Sequence, residues 1–425
     1  MSGLNVVLAR NTNDAAKSIG PYSQTVAFSH YNYISAQLPL DPASGRLVSE
    51  NVIDQAKQCF QNIKSILESI GHYMDDIIKI TIYLKDITDI NSVHEVYATF
   101  FPNYVPVLTT IAVKDLPMDA SIQIEALVSN GEGTIPGAPQ AGNLIKTSRN
   151  TDSAPSCLLF SQSVAFSHYN NICAQLPIDS ATRKLVTGGV KEQTTQCLKN
   201  IQNILKNLDV PLDDIVKINI YLTSLADIDE VDTAYKAFFP HSAIARSLAY
   251  YPARAVVSAL ALPMGALVQI EAVVSHGNGT PPQRVEDRHG IVIKVNNGAE
   301  APTHFLSSQS VAFSHYNHLS AQLPLDPKTG DLVGGNVREQ AKQCLNNIKA
   351  IVESFNHVMG DVVKINIHLK NFDDIEALNE VYSTFFPGGV PARTVVGVTE
   401  LPHNALVQID VVVSNAEGTP PKLLK

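Results

Sequence analysis

Charged residues are sparse in this 425-residue sequence, at 17%, and its apolar segments stay far short of the ~18 residues a membrane-spanning helix needs. Residues Met1–Arg10 lack the basic start and apolar stretch of a secretory leader. The five cysteines (Cys59, Cys157, Cys173, Cys197, Cys344) are odd in number and form no C-x-x-C pair, so neither a disulfide framework nor a zinc knuckle is expected. No basic run is present, and 31 basic against 40 acidic residues leave a net charge of -9, which argues against a nucleic-acid surface. These absences exclude membrane, secreted-scaffold and polyanion-binding classes and point to a cytoplasmic protein. What remains is an apolar-rich chain, 45% hydrophobic, long enough for two or three domains with their own cores.

Comparing the sequence with itself resolves that number. Val26–Asn32, Val164–Asn170 and Val311–Asn317 all read VAFSHYN, and each runs on to AQLP (Ala36–Pro39, Ala174–Pro177, Ala321–Pro324). SIQIEALVSN from Ser121, LVQIEAVVSH from Leu267 and LVQIDVVVSN from Leu406 recur near the end of each unit. Three units follow, at 1–137, 138–283 and 284–425, with an eight-residue insertion near 241–251 in the second. Polar, Gly/Pro-rich stretches after Gly133-Thr134 and Gly279-Thr280 read as linkers.

Each unit carries the same periodicities. In the first, alternation around Tyr22–Phe28 and Tyr33–Leu38 predicts a hairpin turning at Ser29–Asn32. Val52, Ala56, Cys59, Ile63, Ile66, Leu67 and Ile70 recur at helical steps, and a second helix carries Val93, Val96, Tyr97 and Phe100 before stopping at Pro102. Strands at Ile78–Leu84, Leu108–Val113 and Ile122–Val128 complete a ββαβαββ order, an α/β (α+β) unit whose helices cover only one sheet face. Val395, Val396, Val398, Val411–Val413, Val256 and Val257 are nevertheless apolar on both strand faces. Burial of the second face by sister units predicts an intramolecular pseudo-trimer and a monomeric chain.

Gly20-Pro21-Tyr22-Ser23-Gln24, Ala36-Gln37-Leu38-Pro39, Asp41-Pro42, Tyr97 with Phe100-Phe101, Pro391-Ala392-Arg393 and Gln269-Ile270-Glu271-Ala272 resemble the signature segments of the Rid family (reactive intermediate deaminases, also YjgF-like or L-PSP endoribonuclease-like). The resemblance implies a chorismate-mutase-like fold, repeated in tandem, and ligand clefts between units. It also implies hydrolysis of 2-imino acids to 2-keto acids and ammonia, with no metal and no cofactor. An arginine would clamp the substrate carboxylate, for which planar bidentate pairing is suited, and a glutamate would position water.

Carried onto this sequence, the arginine position holds Leu108, Arg254 and Arg393, and the glutamate position Glu125, Glu271 and Asp410. The tyrosine position holds Tyr22, Phe160 and Ser307, and the asparagine position His94, Asp232 and Asn379. No unit keeps the full set. The expectation is a deaminase working in at most two of three clefts, with Glu125, Glu271 and Asp410 as catalytic candidates. Arg254, Arg393, Tyr22 and Asn379 are the substrate-binding candidates. Glu271 with Arg254 is preferred, Tyr22 being lent by the first unit. Alternatives are a catalytically degenerate scaffold that binds small carboxylates or another protein, and an endoribonuclease, which the acidic charge disfavours. His30, His168 and His315 sit at one repeated position; a polar hairpin turn explains them without a metal. Cys59, Cys197 and Cys344 read as buried small hydrophobes in the first helix of each unit.

Overall fold

The computed structural model describes residues 6–129, 146–239, 250–275 and 293–415. The unit boundaries near 137 and 283, and the second unit's insertion apart from Tyr250 and Tyr251, lie outside them. The first domain runs β1 (Leu8–Arg10), β2 (Thr25–Phe28), β3 (Tyr31–Gln37), α1 (Val52–Ser69), β4 (Ile77–Leu84), α2 (Ile90–Phe100), β5 (Val107–Ala112) and β6 (Ile122–Ser129). The second repeats this as β7 (Thr147–Arg149), β8 (Ser163–Phe166), β9 (Tyr169–Gln175), α3 (Val190–Asn207), β10 (Ile215–Leu222), α4 (Ile228–Phe238), β11 (Ala253–Ser258) and β12 (Val268–Ser275). In the third domain the same elements are β13 (Lys294–Asn296), β14 (Ser310–Phe313), β15 (Tyr316–Leu319), α5 (Val337–Ser354), β16 (Val362–Leu369), α6 (Ile375–Phe385), β17 (Ala392–Gly397) and β18 (Val407–Ser414). Each sheet has six strands, in the order β1-β2-β3-β6-β4-β5 for the first. The short N-terminal edge strand is one more than the alternation pattern showed, because three residues are too few to display a period.

Local chemistry explains the helices. Asn51 accepts a hydrogen bond from Ile53 N at 2.8 Å to cap α1. At α5, Asn336 caps Arg338 N, while Glu339 reaches back to Asn336 N at 2.6 Å. The α1 stripe of Ala56, Cys59, Phe60, Ile63, Ile66 and Leu67 is fully buried against the sheet. Within it Asn62 donates to Leu38 O and Leu40 O at 3.0 and 3.1 Å, tying down the chain after β3; Asn200 and Asn347 repeat the device.

The other sheet face is buried by neighbouring domains. Edge strand β5 packs on β9, β11 on β15, and β17 on β3, closing a cycle. Backbone hydrogen bonds join the seams: Ala112 N to Ala261 O at 3.0 Å, Lys114 N to Gly397 O at 2.9 Å, Ala321 N to Arg254 O at 3.0 Å. The residues facing the pseudo-threefold axis form layers. Three tyrosines each donate to the phenylalanine carbonyl that precedes the next domain's hairpin turn: Tyr31 to Phe166 O (2.6 Å), Tyr169 to Phe313 O and Tyr316 to Phe28 O. At the far end Ile111, Val113, Val257, Val396 and Val398 form a shared apolar cluster.

Candidate functional site

Between those layers lies an axial cavity of about 130 Å³, and here the structure places Glu125, Glu271 and Asp410. Each carboxylate pairs with a lysine of the preceding domain. Lys79 stands 2.6 Å from Glu271, Lys217 3.2 Å from Asp410, and Lys364 2.5 Å from Glu125. Neutral donors complete the shells. Glu271 also accepts from Asn219 (2.7 Å), Tyr221 (3.2 Å) and Thr109, and Glu125 from Tyr83 (3.3 Å) and Thr394. Ala255 replaces that threonine in the second domain, and Lys217 turns partly to Leu319 O at 2.5 Å. The three carboxylates thus close a ring of interdomain ion pairs.

This arrangement does not bring the carboxylates to the arginines expected to share a site with them. Neighbouring residues of a strand face opposite ways. Thr394 turns into the cavity, where it meets Glu125, and Arg393 points away from it into a cleft. Burial alone would raise the Glu125 carboxyl. The Lys364 charge, hydrogen bonds from Lys364 and Thr394, and the Lys79 charge together hold it below its ordinary value, which makes it a poor base.

The arginine clefts lie at the seams and are unequal. At the seam of the third and first domains, Arg393 is 4% exposed, with its guanidinium 4.7 Å from the Tyr22 ring and 5.1 Å from the Tyr382 ring. Its Nη1 donates to Asn379 Oδ1 at 2.7 Å, and its buried Nε has no partner among the described residues. Arg393, Tyr22 and Asn379 therefore meet in one cleft, and Tyr22 stands beside Arg393, not beside Arg254 as expected from the sequence. Gly20 passes so close that a β-carbon there would stand 2.4 Å from Arg393 Nη2. From β6, one pleat beyond Glu125, Gln123 lines the same cleft, and its buried Oε1 has no partner among the described residues. Sequence reasoning missed Gln123 because it shares a strand face with Glu125, and alternation cannot tell which of two such residues reaches the seam.

At the seam of the second and third domains Arg254 has its charge answered from its own domain, Nη2 lying 2.5 Å from Asp232 Oδ1, while its buried Nε, like that of Arg393, has no partner among the described residues. Ser307 replaces the tyrosine, and Gln408 spends its amide on Val256 O at 3.0 Å. The seam of the first and second domains has Leu108, Phe160 and His94 around a wider cleft of about 670 Å³. Burial pushes the His94 imidazole down to about 4, so that cleft offers no cation from it at neutral pH. A bracing hydroxyl follows the arginines. Ser35 and Ser320 accept from Arg393 N and Arg254 N, both at 2.8 Å, whereas Cys173 occupies that position beside Leu108.

The buried axis predicts acid sensitivity. His318 is pushed by burial, and then by the Lys217 charge, down to about 3 from 6.5. A depressed histidine leaves stability intact above pH 6.5 and removes it as pH falls toward the folded value, because only the unfolded chain takes up the proton. Glu125, held below its ordinary 4.5, adds loss below that pH, where the unfolded carboxyl protonates first. The denaturation midpoint should therefore fall from pH 6.5 downward and more steeply below 4.5. His318→Asn, which copies Asn171 of the second domain, should flatten the upper part, sparing up to about 2–3 kcal/mol at pH 4.5. An unchanged profile in that variant would show that His318 does not carry the effect.

Three mixed sheets, each covered by two helices on one face and by its sisters on the other, with clefts at the seams, define a single-chain pseudo-trimer. The family model described as Endoribonuclease L-PSP matches it three times, over residues 12–130, 151–276 and 299–415, so the chain belongs to that family, the Rid family of the sequence resemblance. One relative, a RutC family protein of Pyrococcus horikoshii, is 42% identical over 116 residues, 27% of this chain and 92% of the relative. The human 2-iminobutanoate/2-iminopropanoate deaminase is 40% identical over 121 residues, 28% of this chain and 88% of that protein. The crystal structure of the YjgF gene product of E. coli is 33% identical and covers 29% of this chain and 98% of its own, with a TM-score of 0.28. Among the described residues no helix is long and apolar enough to cross a membrane.

Proposed function

We propose that the chain binds a small 2-imino or 2-keto acid at the seam of its third and first domains and hydrolyses the imine there to the 2-keto acid and ammonia. The observation that carries this reading is the buried Arg393 guanidinium, stacked between Tyr22 and Tyr382 and oriented by Asn379, with its Nε unspent. A carboxylate completes that set, since a buried donor without an acceptor is costly. The substrate's C=N carbon is then placed by its own carboxylate. Among the described residues the Tyr22 oxygen accepts only a long bond from Ile19 N, at 3.4 Å, which leaves its proton for the ligand. Gln123 Oε1 is free to accept from a water molecule or from the imine N–H. Water adds to the imine carbon, the C–N bond of the resulting amino alcohol breaks, and ammonia leaves. A protonated imine is itself electrophilic, so orientation of water by a neutral amide serves where a strong base would otherwise be required.

The withdrawal of Glu125 into the axial ring, which leaves Glu376 as the carboxylate lining this cleft with its charge acting on Arg393, favours one second reading, binding of small carboxylates without turnover. A single assay separates the two: release of 2-ketobutyrate and ammonia from enzymatically generated 2-iminobutyrate, with and without the protein. Acceleration by the wild type and a loss on the order of 100-fold in Gln123→Leu is the expected result. Unaccelerated hydrolysis together with 2-ketobutyrate binding would leave the binding reading standing, and absence of both would remove the site.

A further inference from the structure

The end of the axis opposite the shared apolar cluster carries chemistry that the clefts do not use. The hairpins β2–β3, β8–β9 and β14–β15 each turn through two residues: Ser29-His30, Ser167-His168 and Ser314-His315. The serines hold φ of 47°, 52° and 51°, a left-handed conformation in which glycine is the usual choice. Three copies of a strained serine point to a common task at the following residue. That residue faces the axis every time. The imidazole centroids of His30, His168 and His315 lie 5.2, 5.3 and 5.9 Å apart, and one ring nitrogen from each lies within 4.8 Å of the other two. His315 Nδ1 is buried with no hydrogen-bond partner among the described residues. The turn that carries it is fixed by Asn415, whose backbone N donates to His315 O at 2.8 Å and whose Nδ2 donates to Ser314 O at 2.9 Å.

A polar turn explains each hairpin taken singly, but not the convergence of three imidazoles on one point. We propose that His30, His168 and His315 form a tri-histidine site for one divalent transition-metal ion on the pseudo-threefold axis. Metal–nitrogen bonds of about 2.0–2.1 Å bring such ligands to roughly 3.4 Å from one another, a closure that small side-chain rotations at turn positions supply. An all-imidazole set selects zinc, cobalt, nickel or copper and disfavours magnesium and calcium, which require oxygen. Tyr31, Tyr169 and Tyr316 follow the three histidines in sequence and form the next layer inward, with their hydroxyls committed to backbone carbonyls, so the coordination positions left over face outward. One ligand comes from each domain, so the ion would fasten all three together.

The test uses the full, untagged chain after chelator treatment, titrated with Co²⁺ by calorimetry and visible absorption and then challenged with Zn²⁺. One Co²⁺ per chain with ligand-field bands, displaced by one Zn²⁺, is the expected result. His315→Gln should weaken binding by more than the 10–100-fold or so that loss of an outer-shell partner costs. His30→Gln and His168→Gln should do the same, and their metal-free unfolding midpoints should report that each variant is folded. His357→Gln, whose histidine pairs with Asp361 at 3.1 Å away from the axis, should bind as the wild type does. Absence of one-to-one binding, or binding that survives in every folded axial variant, would overturn the assignment.

Discussion

Arg393→Ala is expected to abolish 2-ketobutyrate binding in a calorimetric titration, while Arg254→Ala leaves affinity and stoichiometry as they are. The two arginines occupy equivalent places in β17 and β11, yet the acceptor that each meets on the second helix of its own domain differs by one atom type. Asn379 gives Arg393 a neutral acceptor at 2.7 Å and leaves its positive charge for a ligand. Asp232 gives Arg254 a carboxylate at 2.5 Å, so the acceptor a ligand would bring is already in place. A charge-assisted bond to a ligand carboxylate is worth about 1.5–3 kcal/mol, at least tenfold in affinity. The reciprocal variant sharpens the argument: Asp232→Asn should free Arg254 and add a second, weaker binding event per chain. Equal loss from both alanine variants would mean that Asp232 does not neutralise its partner.

Lys79→Met is expected to destabilise the protein by roughly 3–5 kcal/mol, the usual consequence of stranding one member of a buried ion pair. Glu271 would keep Asn219, Tyr221 and Thr109 but lose the cation it pairs with among the described residues, and its side chain is 3% exposed. Lys79→Met with Glu271→Gln should recover most of that loss, because no unpaired charge remains. Denaturant midpoints of the three variants check the cycle. Glu271→Gln should leave 2-ketobutyrate affinity unchanged, since Glu271 lines the axial cavity and not the Arg393 cleft. If it instead removed turnover without moving the midpoint, the carboxylate would regain the catalytic role that the sequence alone assigns it.

The repeat, the helix stripes and the doubly apolar strands such as Val395–Val398 were legible without coordinates, because periodicity and burial both leave marks in composition. So was the candidacy of Arg393, Tyr22 and Asn379, carried by motif resemblance, but not their meeting at one seam, since the sequence alone pairs Tyr22 with Arg254. The axial ring was not. Lys79 alternates with Ile78 and Ile80 and reads as a solvent-facing polar residue; only the other two domains make that face an interior. Pairings such as Lys364 with Glu125 span 239 residues and depend on which domain follows which around the axis. Strand period assigns a face to Gln123 and Glu125 together, and the distance of each from the seam is a tertiary quantity.

The cyclic packing also bears on how the chain is made. Ser23 donates to Gly389 O at 2.9 Å across the seam that closes the circle, a separation of 366 residues in sequence. At about 5–20 residues per second, the ribosome needs on the order of 15–60 s after the first domain emerges to supply its third-domain partner. Throughout that interval β3 and the apolar inner face of the first sheet have no native cover from that side. The species most exposed to misassociation is therefore the nascent chain, and two such chains side by side offer each other the surfaces that each will later find within itself.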